Sequence, residues 1–114
     1  MKVIIAGSRN FNDYETLKEI CDFMLSRQTD IEIVSGVAKG ADLLGERYAK
    51  EKGYSIKQFP ANWSIGKQAG YVRNEEMAQY ADAAIVFWDG KSKGSEHMIN
   101  LTKKHNLKVK IHKF

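Results

Sequence analysis

The chain alternates short apolar runs with longer stretches in which apolar residues return every three or four positions. Val3-Ile4-Ile5-Ala6 is unbroken apolar sequence ending at Gly7, the mark of a strand buried on both faces. Asn12 with Glu15 three residues on has the form of a capping box, and Leu17, Ile20, Cys21, Met24 and Leu25 then fall on one helical stripe. Ile31 to Val34 is a second strand, closed by Ser35-Gly36. Ala41 to Lys52 follows as a helix that Gly53 stops. Ser55 to Phe59 is a third strand ended by Pro60, and residues 61–69 are a loop. Gly70 to Ala81 is a third helix, with Met77, Tyr80 and Ala81 as its apolar face. Ala83 to Trp88 is the second strongly apolar run. The polar stretch Asp89 to Gly94 leads to Ser95 as N-cap of a helix reaching His105. Val109 and Ile111 alternate with Lys108, Lys110 and His112 in a last strand.

Strands separated by single helices predict an α/β protein: a Rossmann-like open parallel five-stranded sheet with helices on both faces. Strands one and four are apolar throughout and belong in the middle. Strands three and five alternate with polar residues and belong at the edges. The order 3-2-1-4-5 meets both demands and puts the topological switch between strands one and four. The ligand crevice of such sheets opens at the carboxyl ends of the strands flanking that switch. Residues 1–114 read as a single domain, with no repeat or linker.

Three turns at that edge carry the candidate chemistry. Ser35-Gly-Val-Ala-Lys-Gly-Ala-Asp42 follows a strand and opens a helix. Gly36 and Gly40 permit a tight turn, free amides at a helix start favour an anion, and Lys39 adds charge. Gly7-Ser8-Arg9-Asn10 supplies a second turn, where Arg9 can fork onto a phosphate. An ordinary turn with a solvated arginine is the plain alternative. Asp89-Gly90-Lys-Ser-Lys-Gly94-Ser95 is the third, combining glycines, lysines and hydroxyls at a helix start. Arg73 sits one turn before Met77 on the third helix, so it points toward the crevice and needs an anionic partner. That partner is a ligand or an internal carboxylate, Asp42 or Asp89. Asn74 is placed to cap or bind. Trp63 stacks on a base if exposed, or closes its loop against the core. Glu96 has the position of an acid or base, and equally of a first-turn residue complementing the helix dipole. The dinucleotide fingerprint and the Walker A loop are both absent.

Composition narrows the class. The net charge is +4, and much of the lysine falls near the end, at Lys103, Lys104, Lys108, Lys110 and Lys113. With few aromatics between them, these read as a solvated edge, so nucleic acid is not expected as a partner. Cys21 is the one cysteine, at an apolar helix position. His97, His105 and His112 are scattered, so no metal or cofactor is assigned. No run has the length of a membrane span and the N-terminus reads as a strand, so a cytoplasmic setting with no membrane partner is expected. Self-association is left open.

These pieces resemble the SLOG superfamily, specifically its YpsA-related branch of short single-domain proteins. The resemblance rests on Gly7-Ser8-Arg9, on Ser35 to Asp42, on Phe59-Pro-Ala-Asn-Trp63, on Ala69-Gly-Tyr-Val-Arg73-Asn74-Glu-Glu-Met77 and on Asp89 to Ser95. It implies a Rossmann-like fold that binds or senses a nucleotide or a nucleotide-derived, phosphate-containing molecule. Other branches imply two alternatives, a nucleoside-monophosphate phosphoribohydrolase and a nucleic-acid-binding module like DprA. The phosphoribohydrolases carry Pro-Gly-Gly-x-Gly-Thr-x-x-Glu after strand four with a catalytic glutamate. In this chain Ser95 stands for the threonine and Met98 for that glutamate. Arg73 matches their functional arginine, and Asn74 stands where they have lysine. No catalytic residue is therefore assigned, and binding is favoured over hydrolysis.

Overall fold

The computed structural model describes all residues from Met1 to Phe114. Five strands form one parallel sheet: β1 (Lys2–Gly7), β2 (Glu32–Ser35), β3 (Ser55–Gln58), β4 (Ala83–Trp88) and β5 (Lys108–Lys113). Four helices connect them: α1 (Tyr14–Leu25), α2 (Ala41–Lys52), α3 (Ala69–Tyr80) and α4 (Lys93–Lys104). The strand order is β3-β2-β1-β4-β5, as the apolar pattern predicts. β1 pairs with β4 from Val3↔Ala83 to Gly7↔Phe87, and with β2 from Lys2↔Glu32 to Ile4↔Val34.

The unbroken apolar runs have a direct cause. Alternate residues of β1 and β4 serve opposite faces, and helices cover both. Val3, Ile5, Ile33, Ile85 and Phe87 pack under α1 and α2 against Leu17, Cys21, Leu25, Tyr48 and Ala49. Ile4, Ala6, Val34, Ala84 and Val86 face α3 and α4, against Met77, Ala81, Met98 and Ile99. Gly45 lets α2 ride close to β1, because a Cβ there would lie 2.7 Å from Ile5 Cγ2. Cys21 is buried, and that burial pushes its thiol up to about 12. β3 and β5 are largely exposed, as edges are. No helix is long and apolar enough to cross a membrane.

The structure moves several boundaries. The cap of α1 is Asp13 rather than Asn12, with Asp13 Oδ1 accepting from Thr16 N–H at 3.1 Å. The carboxylate one residue on reaches the amide that Asn12 does not. α4 begins at Lys93 with Ser92 as its cap residue, so Ser95 lies inside the first turn. β3 stops at Gln58, although Phe59 N–H still donates to Ser35 O at 2.8 Å. The loop at 61–69 contains one 3-10 turn, Trp63–Ile65, whose Ser64 amide donates to Asn62 Oδ1 at 3.3 Å.

Candidate functional site

The carboxyl ends of β2, β1 and β4 open into a cavity of about 500 Å³, within the usual span of small-molecule sites. Its inner wall is the turn after β1. Gly7 runs so close to β4 that a Cβ would strike the Phe87 carbonyl. Ser8 N–H donates to Phe87 O at 2.8 Å, and Ser8 Oγ accepts from Asp89 N–H at 3.1 Å. The two strand ends are thus tied together at the switch point. Arg9 and Asn10 border the open space beyond them.

The turn after β2 is filled by its own side chains. Val37 has φ +65°, a left-handed value that a β-branched residue adopts only under constraint. Val37 N–H donates to Ser35 Oγ at 3.1 Å and Ala38 N–H to Asp42 Oδ2 at 3.3 Å. Ser35 Oγ donates in turn to Glu46 Oε2 at 2.6 Å, and Gln58 Nε2 donates to Glu46 Oε1 at 3.0 Å. Asp42 and Glu46, one helical turn apart on α2, are both buried. Gly40, at φ +90°, presses on the β1 turn, where a Cβ would lie 2.5 Å from Ser8 O. Lys39 is exposed and lies outside the cavity lining.

The turn after β4 leaves room. Asp89 Oδ1 accepts from the amides of Lys91 and Ser92, each at 2.8 Å, and these hold its carboxyl below the usual range. The amides of Gly94 and Ser95 at the start of α4 have no acceptor within the chain. A Cβ on Gly94 would meet nothing within 4 Å. This helix start faces the cavity through Ser92, Gly94 and Ser95.

Arg73 enters from α3. Its Nη1 donates to the Gly36 carbonyl, and its Nε donates to Asn74 Oδ1 at 3.0 Å. Asn74 Nδ2 continues to Gly94 O at 3.2 Å and lies 3.3 Å from His97 Nδ1. Arg73 is 9% exposed and still borders the cavity. The ion pairs of the chain are Arg47–Glu51, Lys52–Asp22 and Lys104–Glu75, His105 Nε2 also lies 2.9 Å from Glu75 Oε1, and none of these contacts involves Arg73. Asp42 faces it across Gly36 without direct pairing. Burial pushes the Asp42 carboxyl up to about 6, against the downward pull of the Arg73 charge. Burial also lowers the Arg73 value, and Asp42 opposes that. At the mouth, Trp63 is 57% and Tyr71 44% exposed, with the Tyr71 ring edge-on to His97 at 4.6 Å.

Of the residues singled out in the sequence, Gly7, Ser8, Arg9, Asp42, Trp63, Arg73, Asn74, Asp89, Gly94 and Ser95 line one cavity. Ser35, Gly36 and Gly40 stand behind its wall. Gly90 faces β5, where a Cβ would lie 2.7 Å from Lys113 Cε. Tyr71 and Lys67 also line the cavity, as does Ser92, one of the hydroxyls of the Asp89–Ser95 turn. Ser92 had a readable signal, the Asp89-x-x-Ser92 spacing of a side-chain-closed turn before a helix. Nothing in the sequence distinguishes Tyr71 or Lys67 from solvated neighbours.

A parallel sheet opening at its topological switch, with a glycine turn, a helix start and a buried arginine around one crevice, defines a doubly wound α/β fold with a candidate binding crevice. The chain belongs to the YAcAr family, the YspA, cpYpsA-related SLOG family, whose model matches residues 1–66. No curated protein matches it. Among solved structures it is similar to DNA processing protein A from Helicobacter pylori, whose single-stranded DNA binding mode that structure describes. The TM-score is 0.72 at 20% identity, covering 97% of this chain and 64% of that one, a likeness of fold. It corrects the expectation that nucleic acid is not a partner, because a protein of this fold binds single-stranded DNA. That expectation weighed only the lysines of the last helix and strand. The crevice at the carboxyl end of β4 itself carries Arg9, Lys67 and Arg73 beside two exposed aromatic rings.

Proposed function

We propose that the chain is a single ligand-binding domain that holds a nucleotide or nucleotide-derived, phosphate-bearing molecule in the crevice between β1 and β4. The observation that carries this reading is Arg73, a buried guanidinium beside a cavity with no carboxylate in direct contact. A buried cation in that position is stabilised by an anion from outside. The phosphate would lie between Arg73, Arg9 and the free amides of Gly94 and Ser95, where helix dipole and guanidinium act together. Trp63 and Tyr71 at the mouth offer a ring surface for a base. Ser35, Gly36, Lys39, Gly40 and Gly90 support this site from behind or beside it. Met98 lies on the cavity wall, at the position of the phosphoribohydrolase glutamate, so the reading is binding or sensing, and AMP is expected to survive incubation with the protein.

A second reading has an observation of its own. The likeness to a single-stranded DNA-binding protein, together with two exposed rings beside basic residues, supports a backbone lying across the same crevice. Amide chemical-shift mapping with AMP, ADP-ribose and a short oligothymidylate separates the two. Shifts centred on Arg73, Gly94 and Ser95 with the small molecules support the first reading. Shifts with the oligonucleotide alone, lost steeply with salt, support the second. No shift at these residues with any probe overturns both.

A further inference from the structure

Two carboxylates line the cavity: Asp89 is engaged by the amides of Lys91 and Ser92, and Asp42 has no part in the binding mode above. Its Oδ2 accepts from Ala38 N–H at 3.3 Å, which fixes its direction. A Cβ built on Gly36 would lie 2.7 Å from Asp42 Oδ2 and 2.8 Å from Arg73 Nη1, so the two groups converge on one spot. They nevertheless make no direct ion pair. An anion drawn to Arg73 would have to share that guanidinium with the carboxylate, and two like charges beside one buried cation repel.

We infer that the crevice takes up its anion together with a proton, which goes onto the Asp42 carboxylate. This rests on the reading of the crevice as an anion site. Neutral Asp42 leaves the whole charge of Arg73 to the ligand, and its new O–H becomes a donor within the site. The proton is close at hand, because burial already holds the free carboxyl near 6. Glu46, one turn along α2, pushes Asp42 the same way. Arg9, in the β1 turn, acts on Arg73. Asp89, at the end of β4, is held low by its amide donors and stays ionised. Lys67 borders the mouth. His97 on α4 is lowered by burial and touches Arg73 only through Asn74, so it is the group whose titration must be separated from that of Asp42.

Sulfate and ADP-ribose keep a constant charge between about pH 5 and 8, so any pH dependence of their binding belongs to the protein. Their dissociation constants, measured by calorimetry, are expected to rise above about pH 6 by up to about tenfold per unit and to level off below it. The Asp42 carboxyl carbon, followed by NMR in the unaltered chain, is expected to titrate higher when the site is saturated with sulfate. Asp42→Asn should flatten the profile, and His97→Gln should leave it. Binding indifferent to pH, an unmoved Asp42 titration, or a slope that survives Asp42→Asn would overturn the inference. Binding that is lost in Arg73→Ala but flat with pH removes the proton coupling alone. Failure of both probes to bind at any pH removes the anion site with it.

Discussion

Replacing Arg73 with alanine separates a ligand-binding arginine from a structural one. The side chain makes two hydrogen bonds, to the Gly36 carbonyl and to Asn74 Oδ1. Its loss leaves a buried carbonyl with one donor fewer and Asp42 without a neighbouring cation. Because no direct ion pair is broken, the cost to the fold should be about 1–3 kcal/mol, below the 3–5 kcal/mol of a severed buried pair. At about 4 °C per kcal/mol for a chain of this size, that is roughly 4–12 °C in melting temperature. A charge-assisted contact to a ligand phosphate is worth about 1.5–3 kcal/mol, so the dissociation constant should rise about 10- to 150-fold. Calorimetric melting and titration with ADP-ribose on the same variant read both quantities. Arg73→Lys, which keeps the charge and loses the fork, should fall between wild type and alanine in affinity. A stability loss of about 3–5 kcal/mol with unchanged affinity would refute the reasoning and make Arg73 a strut for Asp42.

Gly94→Ala should leave the melting temperature unchanged or raise it slightly, since its Cβ enters open space on a helix, yet weaken ligand binding if the ligand lies against that turn. Gly36→Ala pushes a methyl between Asp42 and Arg73 and should cost about 1–3 kcal/mol by chemical denaturation, with affinity lost as well. Asp13→Ala should cost about 1 kcal/mol as loss of a helix cap, whereas Asn12→Ala should be near neutral. Asp42 has a folded value of about 6 against an ordinary 3.8, so its ionisation destabilises the fold as pH rises between those values. Sparing a shift of that size is worth about 3 kcal/mol above the upper value. Asp42→Asn should therefore gain in melting temperature relative to wild type near neutral pH and lose that gain in acid, and a difference of the opposite sign would contradict the burial argument.

The sheet was readable because its energetics are periodic. Val3 to Ala6 and Ala83 to Trp88 must be central, since each buries both faces, and the order of the other strands follows. Cap positions were less readable, because Asn12 and Asp13 are chemically alike and only loop geometry decides which oxygen meets the Thr16 amide. At the site, the sequence shows which turns gather at the crevice and that Arg73 belongs to it. It does not show that Asp42 and Ser35 would fill the turn after β2 from within, leaving the start of α4 as the open one. That depends on hydrogen bonds such as Ser35–Glu46, between residues eleven positions apart and set by how closely α2 approaches β2. Tyr71 and Lys67 join the cavity through the angle of α3 and the 3-10 turn before it, which no local pattern specifies.

The central claim is that the crevice holds a phosphate-bearing nucleotide-type ligand through Arg73 and the start of α4. Thermal unfolding of the wild-type chain against mononucleotides, dinucleotides and ADP-ribose-type compounds tests it most directly. A true ligand at about 100 times its dissociation constant stabilises the fold by about 2.7 kcal/mol, roughly 10 °C for a chain of this length. The account predicts a shift of that order for at least one phosphate-bearing compound, absent for its dephosphorylated counterpart and much reduced in Arg73→Ala. A melting temperature unmoved by every member of the panel, or a shift that survives Arg73→Ala intact, would contradict it.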